Sequence, residues 1–178
     1  WNGKSAPGIE AVGTRADGTV FPIESSLSMA MVPGERIFTV VVRDITERKR
    51  SEGEIKRTQD RFRALFELDL TGTMIASIDK TLLAVNDRTC RLLGYSRNEL
   101  LSMKWPQFSH SDDLQAEQRD YNRILLGEID TYSMEKRFIR KDGLVLFAAV
   151  SMGCVRKADR SVDFLVGIIE DITERKQA

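Results

Sequence analysis

Asp44-Ile45-Thr46-Glu47-Arg48-Lys49 returns unchanged as Asp171-Ile172-Thr173-Glu174-Arg175-Lys176. The chain is therefore built on a repeat. Upstream of each copy stands a second matched segment, Arg15-Ala16-Asp17-Gly18-Thr19-Val20 in one and Arg140-Lys141-Asp142-Gly143-Leu144-Val145 in the other. Between the Asp-Gly pair and the hexapeptide, apolar residues alternate. Each copy reads as strand, Asp-Gly turn, strand, strand and the start of a charged helix. Like elements repeated along one chain predict a modular array.

In the first copy, residues 1–8 read as a leading loop and Ile9 to Arg15 as a short strand, with a turn at Asp17-Gly18 whose glycine supplies a backbone angle that other residues resist. From Val20 to Met31 the apolar positions Phe21, Ile23, Leu27, Met29 and Met31 face one way and Glu24, Ser26 and Ser28 the other. Pro33-Gly34 turns the chain into a third strand, Arg36 to Asp44, carrying Phe38, Val40 and Val42. Three strands with one apolar face are too small to bury enough surface alone. The expectation is that another surface covers Phe21, Leu27 and Phe38.

From Glu47 to Phe66 charges of both signs are interleaved with sparse apolar residues, which predicts a linker helix capped by the Thr46 hydroxyl. Ile45, Arg48, Glu52, Ile55, Gln59, Phe62 and Phe66 fall at coiled-coil spacing, with a single solvated helix as the other reading. Gly53 marks an expected hinge. Phe62, Leu65 and Phe66 form an apolar edge expected to dock on the sheet that follows. That sheet begins with a hairpin around Asp79-Lys80. A short helix starts at Asn86 or Asp87 and stops at Gly94, and Ser96-Arg97-Asn98-Glu99 is a capping box. A longer helix, Asp112 to Leu126, puts Leu114, Tyr121, Ile124 and Leu125 on one face. Three strands, 130–140, 144–156 and 161–171, complete the set. Two strands, several helices and three strands indicate an α+β architecture, an antiparallel sheet with helices on one face.

These residues resemble the PAS domain family: a strand ending in Arg-x-Asp-Gly, a long alternating strand, a third strand and a closing Asp-Ile-Thr-Glu-Arg-Lys. Asn86 to Ser96, followed by Glu99-Leu100, looks like the family's short-helix segment; Ser111 departs from its usual His-Pro-Asp-Asp at His110 to Asp113. The resemblance implies the C-terminal half of a first module over 1–46, a linker helix over 47–60 and a complete second module, with a five-stranded sheet and the start of an output helix, over 61–178. It also makes the cleft between sheet and helices the place for any ligand. Alternation assigns the walls to Ile75, Phe108, Tyr121, Leu125, Met134, Phe138, Met152 and Phe164, with Trp105 near the mouth; plain core is the other reading of the same residues. No buried charge at strand spacing announces a carboxylate or phosphate ligand.

Composition narrows the chemistry. The 27 Lys and Arg balance the 27 Asp and Glu, so charge makes no case for nucleic acid or an anionic membrane as partner. No apolar run reaches the roughly 20 residues of a membrane helix, and a reducing cytoplasm is the simplest setting for Cys90 and Cys154, which lack metal or redox spacing. Cys90 reads as a small buried hydrophobe, with thiol redox sensing as a weaker alternative. Phosphate-loop, nucleophile-elbow and zinc-helix motifs are missing, and the single histidine, His110, reads as a turn residue before acidic neighbours. Within the family, haem would call for a histidine on the long helix and a covalent flavin for a cysteine after Gly94-Tyr95-Ser96. Met103 to Phe108 has none, so no cofactor is expected; non-covalent flavin and another small ligand stay open.

The resulting expectation is a non-catalytic sensory and relay segment of a larger signalling protein, with a histidine kinase first and a diguanylate cyclase or chemoreceptor second as parent. Asp44, Thr46, Asp171 and Thr173 would couple the last strand of each module to the emerging helix. The expected partner is a second copy of the chain, meeting it through the linker helix and sheet face; a ligand-free module that does no more than hold this dimer together is the alternative.

Overall fold

The computed structural model describes residues 8–177 and the backbone of residues 4 and 5. Most of the leading stretch 1–8 thus lies outside the described residues. The chain divides into two compact units, 1–62 and 63–178.

The first unit contains β1 (Lys4–Ser5), β2 (Ile9–Thr14), β3 (Val20–Val32), β4 (Glu35–Asp44) and most of α1 (Thr46–Phe66). It is a four-stranded sheet, not three-stranded, because the leading residues also pair: β1, β2 and β4 all lie antiparallel to β3. Its register sets Leu27 against Val40 and Met29 against Phe38, so the alternating apolar residues do share a face. Within the first unit itself that face stays open. Leu27 and Phe38 are 46% and 60% exposed, and Phe21 is half-buried. The physical reason is parity: α1 starts against Glu10 and Glu24, which point to the opposite face.

The helix start also differs from expectation. Asp44 is the cap, its Oδ1 accepting from the Thr46 amide at 2.9 Å and from the Thr46 hydroxyl at 2.5 Å, while Oδ2 takes Arg15 at 2.5 Å. Thr46 therefore donates where a capping hydroxyl would accept. Ile45 packs inward at 3% exposure and cannot belong to a helical seam. α1 passes unbroken through Gly53, so the expected hinge is not a break in the backbone. Phe62 and Leu65 are exposed, and Phe66 is half-buried.

The second unit orders its strands β6-β5-β9-β8-β7, from β5 (Gly72–Ala76), β6 (Leu82–Val85), β7 (Thr131–Ile139), β8 (Val145–Arg156) and β9 (Val162–Asp171). Helices α2 (Asp87–Leu93), α3 (Arg97–Leu101) and α4 (Leu114–Leu125) supply the apolar side chains that close one face, and α5 (Thr173–Gln177) follows β9. Met74, Ala76, Leu146, Ala148, Val150, Met152, Leu165 and Ile169 point from the sheet into a core with Leu92, Leu93, Leu100, Phe108 and Ile124. A Cβ at Gly167 would come within 2.7 Å of Met74 and 3.3 Å of Met152, so the strand is bare where two methionines cross it. The expected capping box forms: Glu99 Oε2 accepts from the Ser96 amide at 2.9 Å and the Glu99 amide donates to Ser96 Oγ at 3.4 Å. Lys141 and these Ser96 donors hold the Glu99 carboxyl down at about 2. His110 caps its turn, with Nδ1 accepting from the Asp112 amide.

Asn86 ties the helical layer to the sheet. Its Oδ1 accepts from the amides of Thr73 and Thr89, and its Nδ2 donates to the carbonyls of Phe66 and Thr71, all within 3.0 Å in a fully buried position. Asn86→Ala removes a helix cap and strands buried backbone groups. The expected loss is about 2–3 kcal/mol, read as a lower urea midpoint at unchanged slope.

Candidate functional site

Alternation along β7 turns Tyr132, Met134, Lys136 and Phe138 inward. On α4, steps of four and three residues turn Glu117, Tyr121 and Ile124 inward. The two patterns bring a lysine and a glutamate together inside the module: Lys136 Nζ lies 2.6 Å from Glu117 Oε1, with side chains 1% and 5% exposed. The ammonium also donates to Ser109 Oγ at 2.7 Å and stands 4.6 Å over the Phe138 ring, and Ser109 Oγ donates to the Trp105 carbonyl at 3.0 Å. Burial pushes the Lys136 ammonium down, and the Glu117 carboxylate opposes it. This corrects the expectation that no buried charge occurs at strand spacing. The signal was present: Lys136 holds the same parity as Met134 and Phe138.

Three further polar atoms in this core, Glu117 Oε2, the Tyr132 hydroxyl and Trp105 Nε1, are buried without a hydrogen-bond partner among the described residues. Burial first, and then the nearby Glu117 carboxylate, push the Tyr132 phenol up. Trp105 meets Tyr121 edge to face at 5.5 Å. The β5–β6 turn closes over them, as the Tyr121 hydroxyl donates to the Ile78 carbonyl and Lys80 Nζ lies 4.8 Å from the Tyr121 ring. Chemically, the site offers one carboxylate oxygen, one phenol and one indole N–H in low-dielectric surroundings. Such unpaired groups are costly to leave unmade.

Of the predicted walls, Phe108, Tyr121, Phe138 and Met152 are buried together in this core and Met134 packs on it half-buried. Trp105 is wholly buried and not at a mouth, because the short 3-10 turn Trp105–Phe108 tucks it beneath the β5–β6 turn. Ile75 and Phe164 point to the other face: their neighbours Met74, Ala76 and Leu165 are the buried ones. Leu125 is 45% exposed, one residue past the inward Ile124. The phase of β9 was ambiguous because Phe164, Val166 and Ile168 make its outer face apolar too. Burial pushes both the Cys90 and Cys154 thiols up, away from the ionised form that reacts.

At the exit of the sheet, Asp171 Oδ1 accepts from the Thr173 amide at 2.9 Å, as Asp44 does for Thr46. The Thr173 hydroxyl, however, accepts from the Phe147 amide at 3.2 Å and so fastens the start of α5 to β8. Two residues that sequence reasoning missed stand beside these joints, Glu10 and Glu135. Each lies five positions before the arginine of its Arg-x-Asp-Gly, a spacing visible in the repeat.

With a five-stranded antiparallel sheet, helices on one face and a repeated sheet-to-helix joint, this is the architecture of a sensory α+β module. The chain belongs to the PAS domain family: a family profile described as PAS fold matches residues 82–169, and one described as PAS domain matches residues 2–47. It is 30% identical over 149 residues to the Probable diguanylate cyclase DgcE of Escherichia coli (strain K12), a match covering 84% of this chain and 13% of that one. To the sensor histidine kinase TmoS of Ectopseudomonas mendocina it is 24% identical over 121 residues, covering 68% and 12%. Among solved structures, the PAS domain of an HTR-like protein from Haloarcula marismortui is 26% identical with a TM-score of 0.59, covering 70% of this chain and 99% of that one. A domain of a sensory box sensor histidine kinase/response regulator from Geobacter sulfurreducens is 25% identical with a TM-score of 0.55, covering 66% and 96%. The chain thus spans only about an eighth of the length of these curated relatives. No helix among the described residues is long and apolar enough to cross a membrane.

Proposed function

We propose that the chain is a non-catalytic sensing and relay segment, in which the interior of the second module receives the input and the helix after Asp171 carries the output. The observation that carries this reading is the buried Glu117–Lys136 pair with its unpartnered carboxylate oxygen, phenol and indole. A buried pair of this kind adds little to stability against apolar side chains of like size, so its presence points to recognition or switching. The parent is a multidomain signalling protein. A diguanylate cyclase takes precedence over the histidine kinase expected from sequence, since the longer and more identical alignment is to the former. Assaying the intact parent for diguanylate formation and for histidine autophosphorylation decides between them.

Asp171→Ala in the intact parent is expected to leave basal output in place and to weaken its response to input; an unchanged response defeats the coupling role. Native mass spectrometry tests the input side, with a retained small ligand supporting sensing. A second reading, dimerisation, is favoured by the exposed face of Leu27, Phe38, Val40 and Val42. Sedimentation equilibrium showing a dimer that L27S/F38S dissociates supports it, and a monomer at all concentrations overturns it.

A further inference from the structure

The hexapeptide repeat hides a second repeat that only the fold assembles. In the first unit Glu10 Oε1 lies 2.8 Å from Arg48 Nη2 and Glu10 Oε2 lies 2.5 Å from Lys49 Nζ. In the second, Glu135 Oε1 lies 2.5 Å from Arg175 Nη2 and Glu135 Oε2 lies 2.6 Å from Lys176 Nζ. One carboxylate on the strand before each Asp-Gly turn thus takes the adjacent arginine and lysine of the emerging helix, arginine on the same oxygen and lysine on the other, in both copies. The lysine above all, and then the arginine, draws the Glu10 and Glu135 carboxyls below the usual carboxylate range.

Adjacent residues on a strand face opposite sides of the sheet. Glu135, gripping the helix outside, is therefore followed by Lys136, paired with Glu117 inside. Any slide or twist of β7 that accommodates a change at the interior pair must move the outer grip as well. We infer that Glu10 and Glu135 are helix clamps, and that in the second module the clamp passes the state of the Glu117–Lys136 pair to the helix starting at Thr173. This rests on the sensory reading above. The first module has Ala11 where the second has Lys136, so its clamp holds a helix without an interior charge behind it. Exposed ion pairs are individually weak, which suits a joint that a modest input must be able to open.

Hydrogen exchange followed by mass spectrometry on the whole chain tests the clamp. Glu135→Gln is expected to speed amide exchange in residues 172–177 by about threefold to tenfold, and Glu10→Gln to do the same in residues 46–52, each leaving the other segment unchanged. Reversing the charges together in E135K/R175E/K176E should restore the slow exchange. The apolar interior variant E117L/K136M should shift exchange in 172–177 when Glu135 is present and leave it unshifted in the Glu135→Gln background. Unaltered exchange in Glu135→Gln overturns the clamp. An interior effect of equal size with and without Glu135 overturns the relay through it. Neither arm needs a stimulus, so a chain that binds no ligand defeats the sensory reading alone, while exchange that ignores Glu135 defeats the clamp alone.

Discussion

Replacing Glu117 alone by leucine, or Lys136 alone by methionine, is expected to cost about 3–5 kcal/mol of folding stability, while E117L/K136M together recovers most of the loss. Each single change strands a charge at a site where the surviving side chain is at most 5% exposed. The double change leaves Ser109 with only its bond to the Trp105 carbonyl and fills the space with carbon. Urea unfolding of the four proteins measures the coupling directly, and single-variant losses below about 1 kcal/mol would mean that the pair is not buried in solution. The E117L variant also has a signature in pH. Lys136 already has its pKa lowered by burial, and without the carboxylate it falls further. A folded-state pKa below the unfolded value means that the unfolded chain binds the extra proton, so E117L gains stability as pH rises from its lowered pKa toward about 10, over a wider pH range than the parent chain.

Trp105→Ala is expected to cost about 3–5 kcal/mol, whereas Trp105→Phe costs far less. The indole is wholly buried and meets Tyr121 edge to face, so truncation to alanine opens a void the short turn cannot fill. Its Nε1, by contrast, has no hydrogen-bond partner among the described residues, so phenylalanine forfeits area and no bond. A Trp105→Phe loss as large as that of alanine would reveal a partner for the indole N–H, such as a resident ligand. Thermal or urea unfolding gives both numbers.

Turn chemistry and caps are local. The capping box at Ser96-Glu99, the stop at Gly94 and the turns at Gly18 and Gly143 depend on residues a few positions apart, and all lie where they were read. Thr46 does not cap the helix because it is the first residue of α1, and its amide and hydroxyl both donate to Asp44. Strand phase was legible where one face is polar, as along β7. It was lost along β5 and β9, where apolar residues occupy both faces and Ile75 and Phe164 were set inward.

The succession of strands and helices along the chain, the α+β class and the two-copy plan follow from short-range regularities, periodicity and repetition that any stretch of chain displays on its own. The meeting of Glu117 with Lys136, 19 positions along, and of Glu135 with Arg175 and Lys176, some 40 positions along, is of another kind. No local pattern encodes which distant strand and helix will face each other. That choice is made when β7 takes the sheet edge beside β8 while α4 and α5 bring their charges to it, and it turns scattered charges into an interior site and an exterior grip on successive residues of one strand.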